Sequence, residues 1–223
     1  MSSVIDSINV SEFDGDGLRM IGTDGFNAFN GSNLGDLIDA RGAGDLIDAG
    51  KGDDLIDAGM GDDLIDAGMG DDSVLGGGGK DLIFGEKGAD IIVSGEGNDV
   101  IFGGNGADLI FSGDGDDTVF GGKGNDTING GEGNDVLFGD AGMDVFEFAI
   151  EDLDARFINL VGDFEVGEDK IVITGMSDSN DVTFDANNGF IMLDGDAVIS
   201  LKDVSNSTEM NMEFNESGDF EIM

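Results

Sequence analysis

The chain has 223 residues, a length that suits one or two domains, and it carries 50 acidic against 9 basic side chains for a formal net charge of −41. So large an acid excess repels nucleic acid and anionic lipid, and no apolar run is long enough to span a membrane. With no His and no Cys the chain has neither disulfides nor the usual ligands of zinc, copper or haem, and with no Tyr it also lacks a common catalytic acid or base.

Residues 1–17 hold a short apolar alternation, Val4, Ile5, Ile8, Val10 and Phe13, which is expected to form a strand capping whatever follows. They show no basic region followed by an apolar stretch, so no conventional signal peptide is read there. Glu12 to Gly17 resembles the opening of an EF-hand loop. The twelfth position of such a loop needs a bidentate Glu and here is Thr23, so a turn is expected instead.

Residues 18–147 are organised by a nine-residue period. Aspartate recurs without insertion or deletion at Asp36, Asp45, Asp54, Asp63, Asp72, Asp81, Asp90, Asp99, Asp108, Asp117, Asp126, Asp135 and Asp144. Two residues after each stands an aliphatic side chain or Phe, from Ile38 and Ile47 through Leu137 and Phe146. Two residues before most of them stands Gly: Gly52, Gly61, Gly70, Gly79, Gly97, Gly106, Gly115, Gly124 and Gly133 among others. A further Gly lies two earlier at Gly50, Gly59, Gly68, Gly77, Gly95, Gly104, Gly113, Gly122 and Gly131. The unit reads G-G-x-G-x-D-x-U-x, with U the aliphatic, and its positions are numbered one to nine below.

Read physically, six residues make a turn and three make a strand. Glycine serves the turn because the backbone there needs positive φ and close approach. Only the middle strand residue faces inward, so each unit buries one side chain. The first units depart from the pattern: Asn27 stands where Asp belongs, and Leu34 and Ala43 replace the fourth-position Gly, as terminal solenoid repeats commonly do. Position nine is acidic at first (Asp39, Asp48, Asp57, Asp66) and later aromatic, with Phe84, Phe102, Phe120 and Phe138 spaced by eighteen.

This unit resembles the nonapeptide of RTX (repeats-in-toxin) proteins, a calcium-binding β-helix repeat. The resemblance implies an all-β fold, a right-handed parallel β-roll with a C-terminal β cap, in which two units make one coil. Aspartates eighteen residues apart then stack in two rows. Coils lie about 4.8 Å apart, and two carboxylates at that distance repel by roughly 1 kcal/mol in water or 3 kcal/mol at an effective dielectric of 20. A hard divalent cation between coils reverses the sign, taking carboxylate oxygens from Asp45 to Asp144 and carbonyl oxygens from the paired glycines named above. Irregular all-oxygen cages suit Ca²⁺ better than octahedral Mg²⁺, and about 8–10 ions are expected. Folding and metal binding are then one event. Phe84, Phe102, Phe120 and Phe138 stack on one outer face, with Val93 and Phe111 on the other. The C-terminal segment is the first candidate to cover that ladder; self-association or a protein partner is the second.

Beyond Asp144 the period stops. Residues 148–205 read as short strands with hairpin turns at Asn188-Gly189 and around Gly195. Gly162 to Ile171 resembles the D-F-x-x-G-x-D-x-I segment that follows the coil in RTX exoproteins and caps it. Residues 206–223, ending Asp219-Phe220-Glu221-Ile222-Met223, are similar to the C-terminal signal of type I secretion substrates.

No catalytic constellation is present: H-E-x-x-H needs His, and neither G-x-S-x-G with a His base nor a G-K-[ST] phosphate loop occurs. The expected function is a secreted, non-catalytic calcium-binding protein of a Gram-negative bacterium, passed through a type I exporter and switched on by extracellular calcium as a surface, matrix or adhesive component. The alternative is a calcium-dependent polysaccharide-binding module like the coils of alginate-modifying enzymes. Such a module is expected to show a basic stripe, and the nine cations look scattered. Position three, from Lys51 and Met60 to Lys123, is no Thr row of the kind that ice-binding RTX coils expose.

Overall fold

A computed structural model describes residues 9–12, 17–153, 156–176, 182–185, 187–202, 212–214 and 219–223. Residues 13–16, within the EF-hand-like opening, and 206–211 and 215–218 of the tail lie outside these. Among the described residues every regular element is a strand. The strands alternate between two sheets, so the parallel neighbour of each residue lies eighteen further along, as in Ile92↔Ile110 and Ile83↔Ile101. The first sheet runs through Leu18–Ile21, Leu37–Asp39, Leu55–Met60, Ser73–Gly78, Ile91–Glu96, Leu109–Asp114, Thr127–Asn129 and Val145–Ala149. The second runs through Ala28–Ser32, Leu46–Gly50, Leu64–Asp66, Leu82–Lys87, Val100–Asn105, Thr118–Lys123 and Val136–Ala141. This is the parallel β-roll that the repeat implied.

The core is a thin seam between the sheets. The position-eight side chains Ile38, Ile47, Ile56, Ile65, Ile83, Ile92, Ile101 and Ile110 are all 0% exposed. Two expectations need correction. The strand is six residues long in most units, covering positions seven through three, because the Gly-Gly-x part pairs with its counterpart one coil on, as in Gly95↔Gly113 and Glu96↔Asp114. The true turn is therefore positions four to six. Position one also faces inward: Ala40, Ala49, Ala58, Ala67, Ser94 and Ser112 are buried, and the position-six Asp is buried too, so each unit sends in up to three side chains rather than one. The two serines satisfy their hydroxyls on carbonyls one coil away, Ser94 on Ser112 at 2.6 Å and Ser112 on Gly130 at 2.8 Å.

Left-handed backbone at positions two and four bends each turn from Gly50 to Gly133 at every glycine in those positions. At Gly97 (φ 145°) a Cβ would fall inside the carbonyl oxygen of Gly79, so both conformation and space demand glycine. Where position two is not Gly, the bend survives in Arg41, Glu86 and Asp140, at φ 80°, 73° and 64°.

The four phenylalanines form the expected ladder, with ring centroids 5.1, 5.0 and 5.0 Å apart and planes within 5° of parallel. The described C-terminal residues do not cover it. They extend the stack instead: Lys170–Thr174 adds in parallel to Val145–Ala149, and Asn159–Val161 and then Asp196–Leu201 add in parallel beyond Val136–Ala141. Only the last ring is met, where Gly162 lies against Phe138 so closely that a Cβ would overlap the ring. Antiparallel strands then end both sheets. Phe220–Ile222 lies on Lys170–Thr174, held also by Lys170 Nζ to Glu221 Oε2 at 2.6 Å, and Phe190–Leu193 turns back onto Asp196–Leu201 through Asp194 (φ 53°) and Gly195 (φ 94°). The end of the tail is thus part of the cap, with Ile222 0% exposed. At the other end Asn9–Glu12 pairs antiparallel with Leu18–Ile21.

Because each unit contributes only one large apolar side chain to the seam, a cavity there has little to collapse into it. Ile101→Ala is expected to cost about 2–5 kcal/mol in denaturant titration of the calcium-loaded protein. Leu55→Ala, on an outer face and 54% exposed, is expected to stay within about 0.5 kcal/mol of the parent.

Candidate metal centre

The two turn edges of the roll each carry one row of aspartates. The first contains Asp36, Asp54, Asp72, Asp90, Asp108, Asp126 and Asp144; the second contains Asp45, Asp63, Asp81, Asp99, Asp117 and Asp135. Within a row each backbone N–H donates to Oδ1 of the Asp one coil on: Asp54 to Asp72 at 2.7 Å, Asp72 to Asp90 at 2.8 Å, Asp90 to Asp108 at 2.9 Å and, in the other row, Asp81 to Asp99 at 2.8 Å. This fixes every carboxylate inward. Its other oxygen is left over: Oδ2 of eleven aspartates, Asp45 through Asp135, is buried and accepts no hydrogen bond. A buried carboxylate oxygen without a partner is costly, and a whole series of them calls for a cation.

The backbone supplies matching donors. Position-two carbonyls accept from the next coil, Gly50 from Met69 at 3.1 Å and Gly68 from Lys87 at 2.9 Å, which leaves each one lone pair. Among the described residues, the position-four carbonyls of Gly61, Gly70, Gly79, Gly97, Gly106 and Gly115 receive no backbone hydrogen bond. The unit of Asn27 shows where a positive group fits. There the amide nitrogen donates to the position-two carbonyl of Thr23 at 3.3 Å, to the position-four carbonyl of Gly25, and to Asp45 Oδ1 at 3.1 Å. The aspartate units keep such carbonyls and carboxylates but have no amide to donate to them, so the residues fit a cation bound by carbonyls of a turn and carboxylates of two stacked coils. No group of three or more His, Cys, Asp or Glu side chains converges among the described residues, as expected of a site that draws on backbone.

Both rows end on protein groups. Asp36 accepts from Ser32 N at 2.6 Å and Ser32 Oγ at 3.0 Å. At the far end Asp169 continues the first row, accepting from Asp144 N at 3.0 Å and Glu165 N at 2.8 Å, and Asn159 continues the second, accepting from Asp135 N at 2.9 Å. Sequence reading missed these two because they follow at 25 and 24 residues, not eighteen. The signal was present: Asp169-x-Ile171 and Asn159-x-Val161 repeat the phase of Asp-x-aliphatic. Gly88 belongs to the fourth-position glycine series but was not among the expected carbonyl ligands, because Glu86 stands in place of its paired glycine; it is left-handed like the others, at φ 136°.

Electrostatics follow from burial. Desolvation, only partly offset by the N–H bond to Oδ1 and reinforced by neighbouring aspartates, raises Asp54, Asp81 and Asp90 to about 7 and Asp135 to about 8. The same causes raise Asp63, Asp72, Asp117, Asp126 and Asp144 to about 6. A group whose pKa is higher folded than unfolded stabilises the fold while protonated, fully below its unfolded value and no longer above its folded one. In chelator, β-sheet circular dichroism is therefore expected to be strongest below about pH 4 and to fade as pH rises through the folded values of about 6 to 8, while apparent calcium affinity climbs over the same window. A chelator signal that does not change with pH contradicts this. Asn27→Asp, which replaces the amide by another carboxylate, is expected to make the first coil calcium-dependent and to steepen the calcium titration.

The family model for the RTX calcium-binding nonapeptide repeat (4 copies) matches residues 39–74, 75–110 and 111–146. No curated protein matches the chain. Each matched segment is 36 residues long, four nine-residue units or two coils, and together they coincide with the part of the roll whose carboxylate oxygens lack partners. Residues 39–146 are therefore RTX calcium-binding nonapeptide repeats.

Proposed function

We propose that this is a secreted, non-catalytic RTX protein whose roll forms when extracellular calcium enters the aspartate rows, and that it serves as a surface, matrix or adhesive component of a Gram-negative bacterium. The observation that carries the reading is the series of eleven buried Oδ2 atoms set against unpaired turn carbonyls. Eight to ten ions would fill most of these positions. Held unfolded by its own charge in the calcium-poor cytosol, the chain would thread a type I exporter, and folding outside would prevent its return. Weak sites, about 10⁻⁴ to 10⁻³ M as in extracellular modules, suit that switch. The absence of His, Cys and Tyr supports a non-catalytic role.

A second reading, the calcium-dependent polysaccharide module, gains one observation. Lys51, Lys87 and Lys123 looked scattered in the sequence, yet all occupy position three at or just past the C-terminal ends of second-sheet strands and so align on one edge, two coils or about 10 Å apart. Retention on an alginate column only in calcium would favour this module; passage in both buffers would reject it.

Circular dichroism during calcium titration, with magnesium as control, tests the leading reading. The expected result is a cooperative gain of β signal with calcium alone. Asp90→Ala combined with Asp108→Ala is expected to raise the midpoint by roughly tenfold, the equivalent of about 1.4 kcal/mol. An unchanged midpoint would contradict the assignment of those carboxylates.

A further inference from the structure

The outer faces of the roll are unlike each other in a way that makes them complementary. On the second sheet the Phe84 to Phe138 ladder stands beside the outward column Leu82, Val100 and Val136, and the groove along the ladder is bordered by Lys123 together with Glu86, Asn105 and Asp140. That edge, with its lysines, is close to neutral on a molecule of net charge −41. On the first sheet the same coils present Leu75 and Ile91, 43% and 47% exposed, with Val93, Leu109 and Phe111. Its position-three edge is acidic: Glu96, Asp114 and Glu132 in consecutive coils.

We propose that the first sheet of one copy docks on the second sheet of another, ladder against the Leu75, Val93, Phe111 column, with the lysine edge on the acidic edge. The inference rests on the calcium-formed roll. Strands of the two sheets cross the coil in opposite directions, so position three lies at opposite edges of the two faces. A second copy turned by half a turn about the sheet normal brings those edges together. Lys87 then meets Glu132 of the second copy, Asn105 meets Asp114, and Lys123 meets Glu96. Both pairs of ends are separated by 36 residues, hence by the same two coils, so no register has to be adjusted. In the same placement Phe102 meets Phe111, Phe120 meets Val93 and Phe138 meets Leu75. Docking like face on like face does worse, since aligned edges would set lysine against lysine or acid against acid. The contact is heterologous and leaves one free face at each end, so it continues into an open filament.

Sedimentation velocity of the full chain in calcium over a concentration series tests this, with circular dichroism on each variant as the folding control. The sedimentation coefficient is expected to rise with concentration, and Phe102→Asp is expected to abolish the rise. Lys87→Glu with Lys123→Glu should abolish it too, as should Glu96→Lys with Glu132→Lys. An equimolar mixture of those two double variants should restore it. A folded chain that stays monomeric, or association that survives both charge reversals, overturns the proposal. Failure of calcium to induce β structure at all would instead overturn the reading it rests on.

Discussion

The structure depends on burying a row of carboxylates that the protein itself satisfies only by half. Each aspartate gives one oxygen to the backbone of the coil before it, and that bond locks the side chain into the turn. The second oxygen then has nowhere to go. In most proteins an arrangement of this kind would be removed by selection for stability; here it repeats at the same phase along two edges, with turn carbonyls that have no other partner. The acid row and the glycine turns are thus parts of one device, since a side chain at position four would block the approach of carbonyl to carboxylate.

The rest of the sequence can be understood as terminating that device without ions. Asn27 opens one row with an amide where a cation would otherwise sit, and Ser32 closes the oxygens of Asp36. At the far end Asp163 accepts from Gly139 N and Asp140 N at 3.0 and 2.7 Å, and Asp169 uses both its oxygens on backbone N–H groups. Antiparallel strands then finish each sheet. The ends therefore satisfy their acids with protein groups, whereas the middle keeps eleven buried carboxylate oxygens without a hydrogen-bond partner.

Much of this was legible beforehand because the period is exact. The register of Asp and of the aliphatic two residues on marks the centre of each strand and its inward side chain, and the two-units-per-coil stacking that the RTX resemblance implies then places the two rows and the Phe ladder. What sequence could not show came from relations between coils. The extended Gly-Gly-x segment looks like turn in one unit and becomes strand only when its neighbour is beside it. Asp169 and Asn159 rejoin the rows after loops of altered length, so counting by nine loses them. Lys51, Lys87 and Lys123 are three distant cations until alternate units are sorted onto separate sheets. That the described C-terminal strands leave the ladder uncovered was likewise invisible, because they could equally well have packed across the coil as along it.

The most direct test of the cation-bridged rows is anomalous diffraction from crystals grown in calcium. The account predicts two columns of calcium peaks, one along each edge, each ion about 2.3–2.6 Å from carboxylate oxygens of successive coils and from position-four carbonyls. Columns that hold only water, with the roll equally ordered after chelation, would contradict it.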